Sequence, residues 1–121
     1  MKTHKDLLVW QKSIELVTTL YKLTKDFPKE EIYGLTSQIR RSAVSVPSNI
    51  AEGAGRHSKK EYTQFLYISL GSLSELETQI IIASNLGYVK QNEIEDLSIE
   101  INSLLKMLTS LIRSISEQVN K

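Results

Sequence analysis

Between residues 94 and 115 the side chains Ile94, Leu97, Ile101, Leu104, Leu108, Leu111 and Ile115 follow one another at strictly alternating steps of three and four. That spacing keeps them on one face of an α-helix and is incompatible with a strand, whose faces repeat every two residues. Three earlier segments share the rhythm. From Asp6 to about Phe27 it runs through Leu7, Trp10, Ile14, Val17, Tyr21 and Thr24. From about Ile32 to Glu52 it runs through Leu35, Ile39, Ser42, Val46 and Ile50. From Ser58 to near Gly87 it runs through Tyr62, Leu66, Ser69, Leu73, Leu76, Ile80 and Ala83, a helix of about 28 residues.

The punctuation between these segments is short. Phe27-Pro28 closes the first, because a residue before proline is pushed out of the helical region. Gly53 and Gly55 are expected to end the second by taking up positive φ. Ser58-Lys59-Lys60-Glu61 has capping-box spacing, with Ser58 accepting from the Glu61 amide and Glu61 reaching back to that of Ser58. Connections this short make successive helices antiparallel neighbours. The predicted fold is therefore all-α, an antiparallel up-down four-helix bundle forming a single domain over residues 1–121. The second stripe continues across Pro47, which predicts a kinked helix rather than two helices.

A further apolar stripe lies beside the first on two helices: Leu8, Leu16, Leu20 and Leu23 on the first, Leu105, Ile112 and Val119 on the last. It either widens the core or forms a subunit contact. Because a bundle of this size has little interior to offer, a homo-oligomer is expected.

The chain of 121 residues has no cysteine, which excludes disulfides, thiolate metal sites and cysteine nucleophiles. Near the N-terminus the apolar stretch is only Leu7 to Trp10, too short for a signal-peptide core. No run approaches the roughly 18 apolar residues that span a bilayer. A cytoplasmic protein with no membrane partner is the expectation.

Reactive constellations are sparse. His4 lies near the terminus and His57 in the glycine-rich connection, with no H-E-x-x-H and no Glu-x-x-His pair, so neither a metal nor a cofactor is expected. Gly53-Ala54-Gly55-Arg56 resembles part of a phosphate loop but follows a helix and lacks the P-loop lysine and hydroxyl. There is no G-x-S-x-G. Gly71 inside the third segment is read as a close-packing position, and Glu75 and Glu77 as a solvated or interfacial helix face. No catalytic residue is assigned, and the chain is not expected to be an enzyme.

The net charge is +1, but residues 1–60 hold eleven Lys and Arg against six Asp and Glu, whereas residues 61–121 hold four against eight. Such asymmetry steers a polyanion or favours self-association between unlike faces, and charge alone leaves both open. The candidate phosphate-contacting residues are Arg40, Arg41, Arg56, Lys59, Lys60 and Lys12. The competing reading makes them solubilising charges, with Arg56 paired to Glu52 one helical turn away.

Residue identity adds what periodicity cannot. The run Tyr33-Gly34-Leu35-Thr36-Ser37-Gln38-Ile39-Arg40-Arg41, continued by Ala43-Val44-Ser45-Val46-Pro47-Ser48-Asn49-Ile50-Ala51-Glu52-Gly53 and by Gly55-Arg56, closely resembles the signature of a known family. That family comprises the four-helix-bundle proteins encoded in intervening sequences of bacterial 23S ribosomal RNA genes. Leu8-Val9-Trp10-Gln11-Lys12, Phe27-Pro28, Phe65-Leu66, Gly71-Ser72-Leu73, Glu75-Leu76-Glu77 and Leu86-Gly87-Tyr88 extend the similarity across about Leu8 to Tyr88. Ser42 and Ser69 stand where the pattern favours alanine. The resemblance implies a ring-shaped homopentamer without established catalytic activity. It also implies kinship with the accessory variability proteins of diversity-generating retroelements, which bind nucleic acid through basic surfaces and partner a reverse transcriptase. Two functions follow as expectations: an oligomeric binder of structured RNA or other nucleic acid with little base specificity, or a scaffold that docks a partner enzyme.

Overall fold

The computed structural model describes residues 2–119, and of Val119 the backbone alone. Four helices account for most of it: α1 (Leu8–Thr24), α2 (Leu35–Ala54), α3 (Lys59–Asn85) and α4 (Gln91–Val119). Among the described residues there is no strand. The connections are short, and each helix packs antiparallel on its predecessor, with α4 returning beside α1.

α1 is shorter than expected. Thr3 and Asp6 form a capping box that folds His4–Asp6 into a 3-10 turn, and Leu7 is extended (ψ 126°) before the helix begins. Its core face also differs from the predicted seam. The buried residues are Val9, Ser13, Leu16, Leu20 and Thr24, whereas Ile14 and Tyr21 are exposed. Leu7, Trp10 and Val17 pack only partly against the core. The second stripe is thus where the core of α1 lies for Leu16 and Leu20, while Leu8 is exposed and Leu23 half-buried. Ser13 and Thr24 tolerate burial because their hydroxyls donate to the Trp10 and Leu20 carbonyls, both at 2.7 Å.

The other three seams are as predicted in outline. Ile39, Val46 and Ile50 of α2, Leu66, Leu73, Leu76 and Ile80 of α3, and Leu97, Ile101, Leu104 and Leu108 of α4 form one contiguous core. Ile112, from the second stripe of α4, is buried as well, and Leu105 is half-buried. The side chain of Val119 lies outside the described residues.

α2 runs unbroken through Pro47, which is itself buried. The α2–α3 seam is fastened by polar contacts near it: Ser69 Oγ donates to the Val46 carbonyl at 2.8 Å, and the hydroxyls of Ser45 and Ser72 lie 2.8 Å apart. Asn49 Nδ2 adds bonds to the Ser45 carbonyl and hydroxyl.

Two glycines exchange the roles expected of them. Gly53 sits inside α2 without positive φ; a Cβ there would stand 2.8 Å from the Phe65 Cβ and 3.0 Å from the Tyr62 ring. Gly53 therefore lets α3 approach the backbone of α2. A Cβ on Gly71 would meet nothing within 4 Å, so no neighbour within the chain explains that glycine. Gly55 also stays at negative φ (−86°), and the positive-φ glycine is Gly87 (φ 83°), which turns the chain after α3.

Candidate nucleic-acid interface

The bundle has two chemically distinct ends. At one, Lys59 Nζ donates to Gln118 Oε1 at 2.6 Å, which places the start of α3 beside the end of α4 and the start of α1. At the other, Tyr88 donates to Glu31 Oε2 at 3.0 Å and its ring stands 5.4 Å from that of Phe27. That bond, first, with burial and the charges of Glu31 and Glu30, holds the Tyr88 phenol above its usual pKa. Glu31 also accepts from the Leu35 amide, supplying the cap that Gly34 lacks.

Charge separates along this axis. The helix halves nearest the Lys59 end, residues 2–16, 45–72 and 105–119, hold eight Lys and Arg and five Asp and Glu. The remaining residues, 17–44 and 73–104, hold six and nine, so the Lys59 end is the basic one. Antiparallel packing produces this polarity, because it lays oppositely directed chain segments side by side.

The six candidate residues do not converge on one patch. Arg40 is occupied: its Nε donates to Thr24 Oγ1 at 2.9 Å, its Nη2 to the Tyr21 carbonyl at 3.3 Å, and its guanidinium lies 4.6 Å over the Tyr21 ring. A cation at the C-terminus of α1 is also favoured by the helix dipole, so Arg40 joins α2 to α1. Arg41 is exposed on another face, lining a hollow of about 500 Å³ between α2 and α3 with Gln38, Ser45, Ser72 and Glu75. Glu75 accepts there from Gln79 Nε2 at 3.2 Å, while Gln79 Oε1 is buried without a hydrogen-bond partner.

Arg56 lies about 24 Å of helix from Arg40 and pairs with Glu52 while its guanidinium covers Phe65 at 4.8 Å. Lys59 and Lys60 follow it at the start of α3, both exposed. Ser58 caps this helix by accepting from the Glu61 amide at 3.1 Å; the return bond from Glu61 is not formed. Lys12, on α1, pairs with Glu15 at 3.7 Å. The structure thus gathers Arg56, Lys59 and Lys60 at the basic end, with Lys2 and Lys5 at the same end on the neighbouring start of α1. The two N-terminal lysines escape sequence reading because only the fold brings them to this end.

Among the described residues no group of three His, Cys, Asp or Glu side chains could hold a metal ion, and no helix is long and apolar enough to cross a membrane. What fold and surface define is a small helical bundle with a basic end, buried serines at its central seam and large apolar side chains left on its outside. Residues 5–110 match the family model described as 23S rRNA-intervening sequence protein, and the chain belongs to that family. It is also similar in structure to a protein of unknown function from the S23 ribosomal protein family of Bacteroides thetaiotaomicron VPI-5482. The TM-score is 0.81 at 25% identity, over 88% of this chain and 96% of that one. No curated protein matches it.

Proposed function

We propose that the protein is a cytoplasmic, non-enzymatic ring oligomer that holds structured RNA through its basic end, by phosphate contacts with little base specificity. The observation that carries this reading is the exposed group Arg56, Lys59 and Lys60 gathered at the start of α3. In a ring each subunit repeats the group, and multivalent contact offsets the modest charge of one copy.

Self-association is supported by two unlike apolar surfaces. On α3, Tyr67 and Ile68 just before Gly71 and Ile81 and Ile82 about three turns beyond it are 45–58% exposed, and Gly71 leaves room for a neighbouring backbone. Between α1 and α2, Trp10, Ile14, Val17, Val44 and Pro47 line a hollow of about 330 Å³. In this reading Pro47 bends α2 and shapes that hollow, since it has no amide for the Ala43 carbonyl. A ridge on one surface and a groove on another give head-to-tail contacts, which form a ring where the rotation between subunits closes. The signature in α2 implies five members, and kinship with the accessory variability proteins belongs to the same reading.

Light scattering should give a multiple of the monomer mass, and filter retention of an RNA hairpin should be strong at low salt and fall steeply as salt rises. A monomer, or an oligomer that retains neither RNA nor DNA at low salt, contradicts the proposal.

A further inference from the structure

Three of the surface hollows fall on one line. The first, about 420 Å³, lies between the end of α1 and the start of α4, with Lys22 and Asp26 facing Asp96 and Glu100 over Leu23 and Leu97. The second, about 190 Å³, is bounded by Lys12, Glu15, Ile99 and Glu100. The third, about 380 Å³, lies between Leu7 and Leu8 of the α1 approach and Met107 and Leu111 of α4. Together they make a groove the length of α1, about 25 Å. It exists because α1 and α4 are the least closely packed neighbours in the bundle.

Its floor is apolar and its rim carries unpartnered apolar side chains, with Ile99 69% and Leu8 56% exposed. Its charge is one-sided. Toward the start of α4 the rim holds Asp26, Glu93, Asp96 and Glu100 against Lys22 alone. Glu15 continues the acidic row, although Lys12 pairs with it. At the far end Lys106 is the only charged lining residue. Partial burial, then Glu15 and Asp96, push the Glu100 carboxyl above its usual pKa despite Lys12, so these carboxylates crowd one another.

We propose that this groove docks an amphipathic helix of a partner protein, apolar on the face it buries and carrying Lys or Arg toward the end that meets Asp96 and Glu100. Charge complementarity selects the occupant. The apolar ridge of α3 from a second copy has the wrong sign: it has no Lys or Arg between Glu61 and Asn85 and carries Glu75 and Glu77. The acidic stretch of the groove lies at the acidic end of the bundle, away from Arg56 and Lys60, and only its Leu7–Leu8 end reaches the basic end. This inference stands apart from the nucleic-acid reading.

The test uses the full chain and a fluorescent helical peptide of leucine and lysine, about 18 residues long to match the groove. Anisotropy should show saturable binding. The double variant D96K/E100K, on exposed positions, should weaken it about tenfold or more. A peptide with glutamate in place of lysine should not bind, and K59A/K60A should bind the leucine–lysine peptide as the parent does while losing RNA. Circular dichroism confirms that each variant is folded. The proposal is overturned if the parent does not bind the peptide, or if the charge-reversed variant binds it equally. Dissociation of the oligomer by Ile99→Asp would also overturn it, because a second copy would then cover the groove.

Discussion

The seams α2–α3 and α1–α4 join antiparallel neighbours in the same bundle, yet the first is closely packed, with one polar hollow beside Arg41, and the second is the loosest in the bundle. Along α2–α3 a glycine removes a side chain where the helices cross, and hydroxyls bridge the backbones. Along α1–α4 apolar and acidic side chains line a groove that none of the described residues fills. Small residues let α2 and α3 meet at Gly53 and Ser69, whereas the larger side chains along α1–α4 line an apolar-floored row of hollows. The contrast assigns stability to the first seam and recognition to the second.

Truncation should show the difference most strongly. Leu73→Ala removes a fully buried side chain of α3 and should cost about 2–5 kcal/mol in denaturant unfolding. Ile99→Ala, on the rim of the open groove, should cost within about 0.5 kcal/mol. Comparable losses at the two sites would break the comparison. A smaller effect is expected at Gly53→Ala. The added methyl meets the Phe65 Cβ, which cannot swing aside, and overpacking of about 1–3 kcal/mol outweighs a helix-propensity gain of about 1 kcal/mol.

Gly71→Ala should have the opposite sign. With open space around it, alanine should raise subunit stability by about 0.5–1 kcal/mol. If α3 meets another copy there, the same change should lower the mass seen by light scattering at micromolar concentrations. Stabilisation with unchanged mass would remove the α3 ridge from the subunit contact.

The smallest effect concerns Glu100. Its raised pKa means the folded state holds the proton more tightly than the unfolded chain. Stability is therefore lost as pH rises from the ordinary value of 4.5 through the folded pKa. Glu100→Gln should give a small rise in melting temperature at neutral pH that vanishes below about pH 4.5. A variant that melts lower at neutral pH would show that the carboxylate is needed where it stands.

Much of the bundle was legible in the residues. The seams of α3 and α4 can be read directly, because each offers one stripe of large apolar side chains with little competition. α1 offers two stripes of similar strength, and the chain buries a face that takes Leu16 and Leu20 from one and Thr24 from the other, completed by Val9 and Ser13. Apolar periodicity passes over Ser13, since it cannot register a hydroxyl that bonds back to its own helix. Glycine is ambiguous for a related reason: Gly53 and Gly71 look alike in sequence, and only the position of Phe65 distinguishes a required glycine from a free one. The arginine pair was visible, but adjacent helical residues point about 100° apart, so Arg40 enters the α1 contact while Arg41 faces the α2–α3 hollow.

The acidic groove had a signal that was open to another reading. Glu93, Asp96 and Glu100 recur at steps of three and four on α4, which places them on one stripe, but the first two also suit the positive end of a helix dipole. Asp26 lies in the turn after α1, and only the folded bundle brings it opposite.

Amide hydrogen exchange of the full chain, with and without an RNA hairpin at low salt, tests the central claim most directly because it locates the contact. The account predicts added protection over residues 53–62, at the turn from α2 into α3, and none over residues 93–103 of α4. Protection centred on α4, or no change anywhere at saturating RNA, would contradict it.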